Sequence, residues 1–141
     1  MTDLGLTHVA FAVRNLPASV DFYRRYASMT VIHRRSDTAS TEVAWLSDLT
    51  RPFVIVLIQM PGLDDTPLGP FGHLGVACAS RDEVDALAAA ARSESILLRG
   101  PTESGPPVGY WALIRDPDGN GLEVAHGQEI AFTVEQAERL E

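Results

Sequence analysis

Apolar positions along this chain follow two periods, one near 2 and one near 3.6, and the two alternate in the same order twice. Residues 6–13, LTHVAFAV, are short, apolar and β-rich, which predicts a strand with His8 near its start. Asn15 followed by Pro17 marks a helix start, and Val20, Phe22, Tyr23 and Tyr26 supply the apolar face. Thr30–His33 predicts a short strand. Thr41–Leu46 and Phe53–Met60 predict a hairpin around Ser47, Asp48 and Thr50. The stretch PGLDDTPLGPFG, 61–72, reads as a loop. The order then returns. His73–Ala79 predicts a strand, and Ser80 caps a helix with Val84, Leu87 and Ala91 on one face and acids in its first turn. Ser95–Arg99 predicts a short strand and Gly100–Gly109 a Pro/Gly loop. Tyr110–Arg115 and Gly121–His126 predict strands joined by the turn Asp116-Pro117-Asp118-Gly119. Thr133–Leu140 predicts a final helix capped by Thr133, with Glu135 and Gln136 in its first turn.

Displaced by 65 residues (73 − 8), THVAFAVRNLPASVDF lies over GHLGVACASRDEVDAL without a gap. The pattern is βαβββ twice, an α+β fold of mixed sheets with helices outside. The expectation is one domain, with modules about 4–60 and 72–127, a linker at 61–71 and a terminal helix at 133–140. Strand alternation puts His8 on one face with Ala10 and Ala12, and His73 with Gly75 and Ala77. These small neighbours leave space. Phe11, Val13, Leu74 and Val76 point the other way and are core candidates.

Charge and cysteine count narrow the function classes. The net charge of −8, with no cluster of Lys and Arg, argues against binding nucleic acid. The longest apolar run, Phe53–Ile58, is far below the roughly 20 residues of a membrane span. The first residues show no signal-peptide pattern, and the single Cys78 suits a reducing compartment. A cytoplasmic location follows as the expectation.

The repeated histidine carries the chemistry. A lone His at a strand start is ordinarily a hydrogen-bonded structural residue. Two in repeat-equivalent places suggest a site with one imidazole from each half. Glu123 is a third candidate, because a carboxylate between Leu122 and Val124 on a strand is costly unless paired or metal-bound. Two imidazoles and a carboxylate form a facial triad for an octahedral ion. Taken alone, Glu123 also reads as a salt-bridged edge residue. His33, beside Arg34-Arg35, and His126, on the opposite strand face from Glu123, are not expected to be ligands.

With His8 in L-x-H-V-x-x-x-V-x-x-L-x-x-S-x-x-F-Y, His73 in the second copy, and D-P-D-G-N-x-x-E ending at Glu123, residues 4–127 resemble the vicinal oxygen chelate superfamily. Its members include glyoxalase I, fosfomycin-resistance thiol transferases, methylmalonyl-CoA epimerase, extradiol dioxygenases and bleomycin-binding proteins. The resemblance implies paired βαβββ modules in a cupped sheet and commonly a homodimer. It also implies one divalent ion (Fe, Mn, Zn, Ni or Co) held by His8, His73 and Glu123, and a small-molecule substrate chelating through two oxygens.

The chain departs from individual family patterns. Val56 stands where glyoxalase I and the epimerase carry a further Glu or Gln. Leu113 stands where extradiol dioxygenases and fosfomycin transferases carry Tyr, and Ala10 where the transferases carry Thr. Bleomycin-binding proteins generally lack the metal residues that this chain keeps. Ala10, Trp45, Val56, Trp111 and Leu113 are the expected pocket lining, which suits a fairly apolar substrate. The resulting expectation is a metal-dependent dioxygenase-like or glyoxalase-like enzyme. The alternative is a non-catalytic binder of an antibiotic or metabolite.

Overall fold

The structure, a computed structural model, describes residues 3–140. It divides into two compact units. Unit 1 runs to Gly69 and also takes in Pro117–Gly119, and unit 2 comprises Pro70–Asp116 with the residues from Asn120 onward.

Unit 1 holds β1 (His8–Ala12), α1 (Leu16–Ala27), β2 (Thr30–Thr38), β3 (Thr41–Ser47) and β4 (Val54–Gln59). The strands form one mixed sheet in the order β1-β4-β3-β2, with β1 parallel to β4 and the other pairs antiparallel. Asn15 caps α1 by accepting the Ala18 amide at 3.0 Å, with a proline in the first turn as expected. Leu16, Phe22, Tyr23 and Tyr26 of α1 are buried together with Phe11, Ala44, Leu46, Ile55 and Leu57. Burying each large side chain of this set stabilises the unit by about 1.5–3 kcal/mol relative to exposing it. Two-residue alternation puts Ala44 and Leu46 on the helix side of β3, which leaves Trp45 on the other face.

Unit 2 repeats this plan with β5 (His73–Ala77), α2 (Arg81–Ser93), β6 (Leu97–Glu103), β7 (Tyr110–Arg115) and β8 (Gly121–His126), ordered β5-β8-β7-β6. Ser80 caps α2 by accepting the Glu83 amide, and the Glu83 carboxylate reaches back to the Ala79 amide. The core joins Val84, Ala88 and Ala91 to Ala112, Ile114, Leu122 and Val124. The α+β class, the order of elements and the doubled module are as the pattern predicts.

Three boundaries differ from expectation by more than two residues. β2 continues past His33 to Thr38, pairing with β3 as far as Thr38↔Thr41. Its polar residues RRSDT give no apolar signal, because β2 is an edge strand exposed along most of its length. β6 continues through Gly100 and Pro101 to Glu103, crossing the start of the expected loop. It too is an edge strand, with register irregularities where those residues sit. The final helix, α3, spans Ile130–Glu138, so Thr133 lies inside it and does not cap it. The Thr133 hydroxyl donates to the Glu129 carbonyl one turn back. Among the described residues no helix is long and apolar enough to cross a membrane.

Candidate metal centre

In unit 2, the parallel ladder of β5 and β8 sets His73 beside Gly121 and Gly75 beside Glu123. Antiparallel pairing across β8 and β7 then sets Leu113 beside Glu123 and Trp111 beside Ala125. His73, Glu123, Leu113 and Trp111 therefore share the face turned away from the buried residues of α2. A side chain at 121 would crowd this face: an added Cβ would lie 3.1 Å from the His73 Cβ and 3.2 Å from the Leu113 Cδ1. At Gly75 the absent side chain leaves the Glu123 carboxylate uncovered on that side, with Oε2 3.6 Å from where a Cβ would stand.

The His73 ring has a defined proton. Its Nδ1 lies 2.6 Å from the Phe71 carbonyl oxygen. A carbonyl only accepts, so Nδ1 donates and Nε2 is the nitrogen left for a ligand. Glu123 is half-buried, and its Oε2 accepts the Gln128 side-chain amide at 2.8 Å. The Trp111 indole donates to the Ser104 hydroxyl at 2.9 Å, which fixes its ring on the same face.

In unit 1, His8 occupies the equivalent place at the start of β1, exposed, with Nδ1 2.9 Å from the Thr7 hydroxyl. Ala10, Val56 and Trp45 form one cross-strand row, and the next residue in that row is His33. The His33 and Trp45 ring centroids are 4.8 Å apart. Ala10 pairs with Val56 as Gly75 pairs with Glu123, so Val56 holds the place of Glu123 in the first copy. His33, within the expected strand but set aside for its place beside Arg34-Arg35, lies in this row beside Trp45. Gln128 was missed because it follows the last strand, in a turn led by Gly127.

Among the described residues no group of three or more His, Cys, Asp or Glu side chains is gathered to hold a metal ion. His73 and Glu123 belong to unit 2 and His8 to unit 1. The donor chemistry of unit 2 nonetheless suits a divalent ion: an imidazole whose Nδ1 is already used by a carbonyl, and a carboxylate with one oxygen outside its hydrogen bond. An open groove of about 490 Å³ elsewhere in unit 1 is lined by Val13, Arg14, Ser40, Gln59, Leu63 and Asp65. It includes none of the expected pocket residues. Tyr110, on the helix face of β7, donates its hydroxyl to Asp85 and cannot take the place of Leu113.

Residues 5–124 match the family model described as Glyoxalase/Bleomycin resistance protein/Dioxygenase superfamily. The chain belongs to that superfamily. An uncharacterized protein of Pseudomonas aeruginosa, PA2024, is 35% identical over 127 residues, covering 89% of this chain and 90% of its own. A glyoxylase/bleomycin resistance protein/dioxygenase domain from Frankia sp. EAN1pec is 25% identical with a TM-score of 0.68, covering 90% of this chain and 100% of its own. The trypanothione-dependent glyoxalase I of Leishmania major is 21% identical with a TM-score of 0.70, covering 97% of this chain and 94% of its own, a likeness of fold. The superfamily joins enzymes and binding proteins on one scaffold, so activity has to be argued from the side chains on the open faces.

Proposed function

We propose that this protein is a divalent-metal-dependent enzyme of the superfamily. Its substrate would be a small, fairly apolar molecule that chelates through two oxygens, and its chemistry dioxygenase-like or glyoxalase-like. His8, His73 and Glu123 would hold the ion, with the two modules working as one domain in a cytoplasmic homodimer. One observation carries the reading. On paired strands β5 and β8, His73 donates Nδ1–H to a carbonyl, which leaves Nε2 as the nitrogen available to an ion, and His73 shares its sheet face with Glu123. When bound, such an ion supplies Lewis acidity toward two substrate oxygens. Trp111 and Leu113 on that face, and Ala10, Val56 and Trp45 on the matching face of unit 1, would exclude water and seat an apolar body. The exposed apolar side chains of α3, with Ile130 65%, Phe132 56% and Val134 53% exposed, support a self-associating protein.

A second reading is favoured by Val56. With valine in the place of Glu123, the first module offers no second carboxylate to move a proton, which suits a binder that sequesters its ligand. Metal analysis of protein purified without chelator tests the first reading. The expected result is bound Fe, Mn, Ni, Zn or Co, with a metal-dependent rise in melting temperature; absence of both would overturn it. Anaerobic Fe(II) loading followed by a catechol and oxygen gives a visible ring-cleavage product if the activity is dioxygenase-like. A glutathione–methylglyoxal hemithioacetal reports glyoxalase-like turnover. Metal binding with neither activity, and retained affinity for apolar ligands in a His8→Ala variant, would favour the binder.

A further inference from the structure

We infer that Gln128 is the positioning residue of Glu123, holding one carboxylate oxygen so that the other is presented to a divalent cation. The inference rests on the metal reading proposed above and adds a residue to it. Three independent features lead to Gln128.

The first is the contact. Gln128 Nε2 donates to Glu123 Oε2 at 2.8 Å, and both residues are half-buried. A carboxylate on a strand can rotate about its terminal torsion, which is broad. An amide fixed on one oxygen restricts that rotation and leaves Oε1 as the oxygen outside this hydrogen bond.

The second is how firmly the Gln128 backbone is held. The segment after β8 lies against the loop before β7. The Glu129 amide donates to the Pro107 carbonyl at 2.9 Å, and the buried Gly109 approaches so closely that a Cβ there would lie 2.6 Å from the His126 oxygen and 3.0 Å from the Gln128 nitrogen. The same loop carries Ser104, which accepts the Trp111 indole. One loop therefore sets both the amide that holds Glu123 and the indole beside it. A surface glutamine reaching a nearby acid by chance needs no such anchoring.

The third is the comparison between the two modules. Glu123 and Val56 occupy equivalent places in register. Five residues beyond Glu123 stands Gln128; five beyond Val56 stands Pro61, which has no side-chain donor. The module that lacks the carboxylate also lacks the group that would orient it.

The test is the affinity for Co²⁺ alone, measured by competition with a chromophoric chelator, on wild type, Gln128→Met and Glu123→Ala. Methionine keeps the length of glutamine and removes the donor. The expected result is a ten- to hundred-fold weaker Co²⁺ affinity for Gln128→Met. The melting temperature without metal should fall only slightly, as expected for one lost hydrogen bond at a half-buried carboxylate, and the visible Co²⁺ band should alter as the carboxylate gains freedom. Gln128→Lys, which restores an N–H donor at similar reach, should recover the band shape. If Glu123→Ala abolishes Co²⁺ binding while Gln128→Met leaves both affinity and band unchanged, the role of Gln128 is overturned and the metal reading stands. If wild type and Glu123→Ala bind Co²⁺ equally or not at all, the metal reading fails and takes this inference with it. A Gln128→Met protein that melts lower without metal and binds Co²⁺ normally shows a structural residue and also overturns the proposal.

Discussion

Asp118 receives two hydrogen bonds from Arg14, a residue 104 positions earlier: one from the backbone amide at 3.0 Å and one from the guanidinium Nε at 3.2 Å. Its other oxygen accepts the hydroxyl of Ser19, which is fully buried on α1. The second Asp of the D-P-D-G turn is thus the acceptor for the start of α1, and that is why Pro117–Gly119 group with unit 1. The Arg14 side chain is 65% exposed, so its charge contributes little. The buried Ser19 hydroxyl and the Arg14 amide are the groups that lose most when the acceptor is removed. Asp118→Ala should destabilise the protein by about 2–4 kcal/mol in urea titration. Arg14→Ala, which keeps the amide, should cost under about 1 kcal/mol. Equal losses in the two variants would show that the ion pair, and not the buried hydrogen bonds, holds the turn.

The sequence made this turn visible as a motif but not its purpose, because the partners lie a hundred residues apart. The repeat was legible for a different reason. Two-residue alternation around His8 and His73 is a local pattern, and the ladders Ala10↔Val56 and Gly75↔Glu123 keep the same register in both sheets. The repeat alone therefore sets Val56 against Glu123. The edge strands were less legible: β2 beyond His33 and β6 beyond Arg99 are held by backbone pairing, with side chains largely exposed. No hydrophobic period marks them, and the Arg34-Arg35 doublet beside His33 masks the open face where His33 meets Trp45. Gln128 escaped for want of any local signal, since its importance comes from the loop packed beneath it.

Gly121 offers a test of the site that leaves every proposed ligand in place. An added methyl would crowd the His73 Cβ at 3.1 Å and the Leu113 Cδ1 at 3.2 Å, and both must yield by a few tenths of an ångström. A displaced imidazole no longer aims Nε2 as before. Gly121→Ala should therefore weaken Co²⁺ binding about tenfold. Gly75→Ala meets only an ordinary contact with Glu123 and should leave binding within a factor of about three. Competition titration of both variants checks this. Equal affinities for the two would place His73 outside the metal site.

Cys78 should behave as a quiet thiol. Burial is the main cause that pushes its pKa up, and the nearby Glu83 carboxylate adds to it. The folded protein therefore holds the thiol proton to higher pH than the unfolded chain does. The associated stability is complete below the unfolded-chain pKa and fades as pH rises through and beyond it. Iodoacetamide should alkylate the folded protein at pH 8 more slowly than the urea-unfolded chain. Glu83→Gln, which still accepts the Ala79 amide, should speed the folded reaction. A folded rate equal to the unfolded rate would show an exposed, unperturbed thiol.

Val56 decides how far glyoxalase chemistry can go. Proton transfer next to a carbonyl needs a base within hydrogen-bonding reach, and Glu123 is the carboxylate on the open face of unit 2 while its counterpart Val56 is a hydrocarbon. The wild-type protein should therefore turn over a glutathione–methylglyoxal hemithioacetal slowly even when loaded with Ni²⁺ or Zn²⁺. Val56→Glu puts a carboxylate at a half-buried position beside Ala10 and Trp45, where it costs about 1–3 kcal/mol unless it is paired. Without metal this variant should melt below wild type. If residue 56 belongs to the same centre as His73 and Glu123, added Co²⁺ should offset that loss, giving a larger metal-induced thermal shift than wild type shows. An equal shift in the two proteins, with the variant remaining the less stable, would place residue 56 away from the metal and remove the physical argument against a glyoxalase.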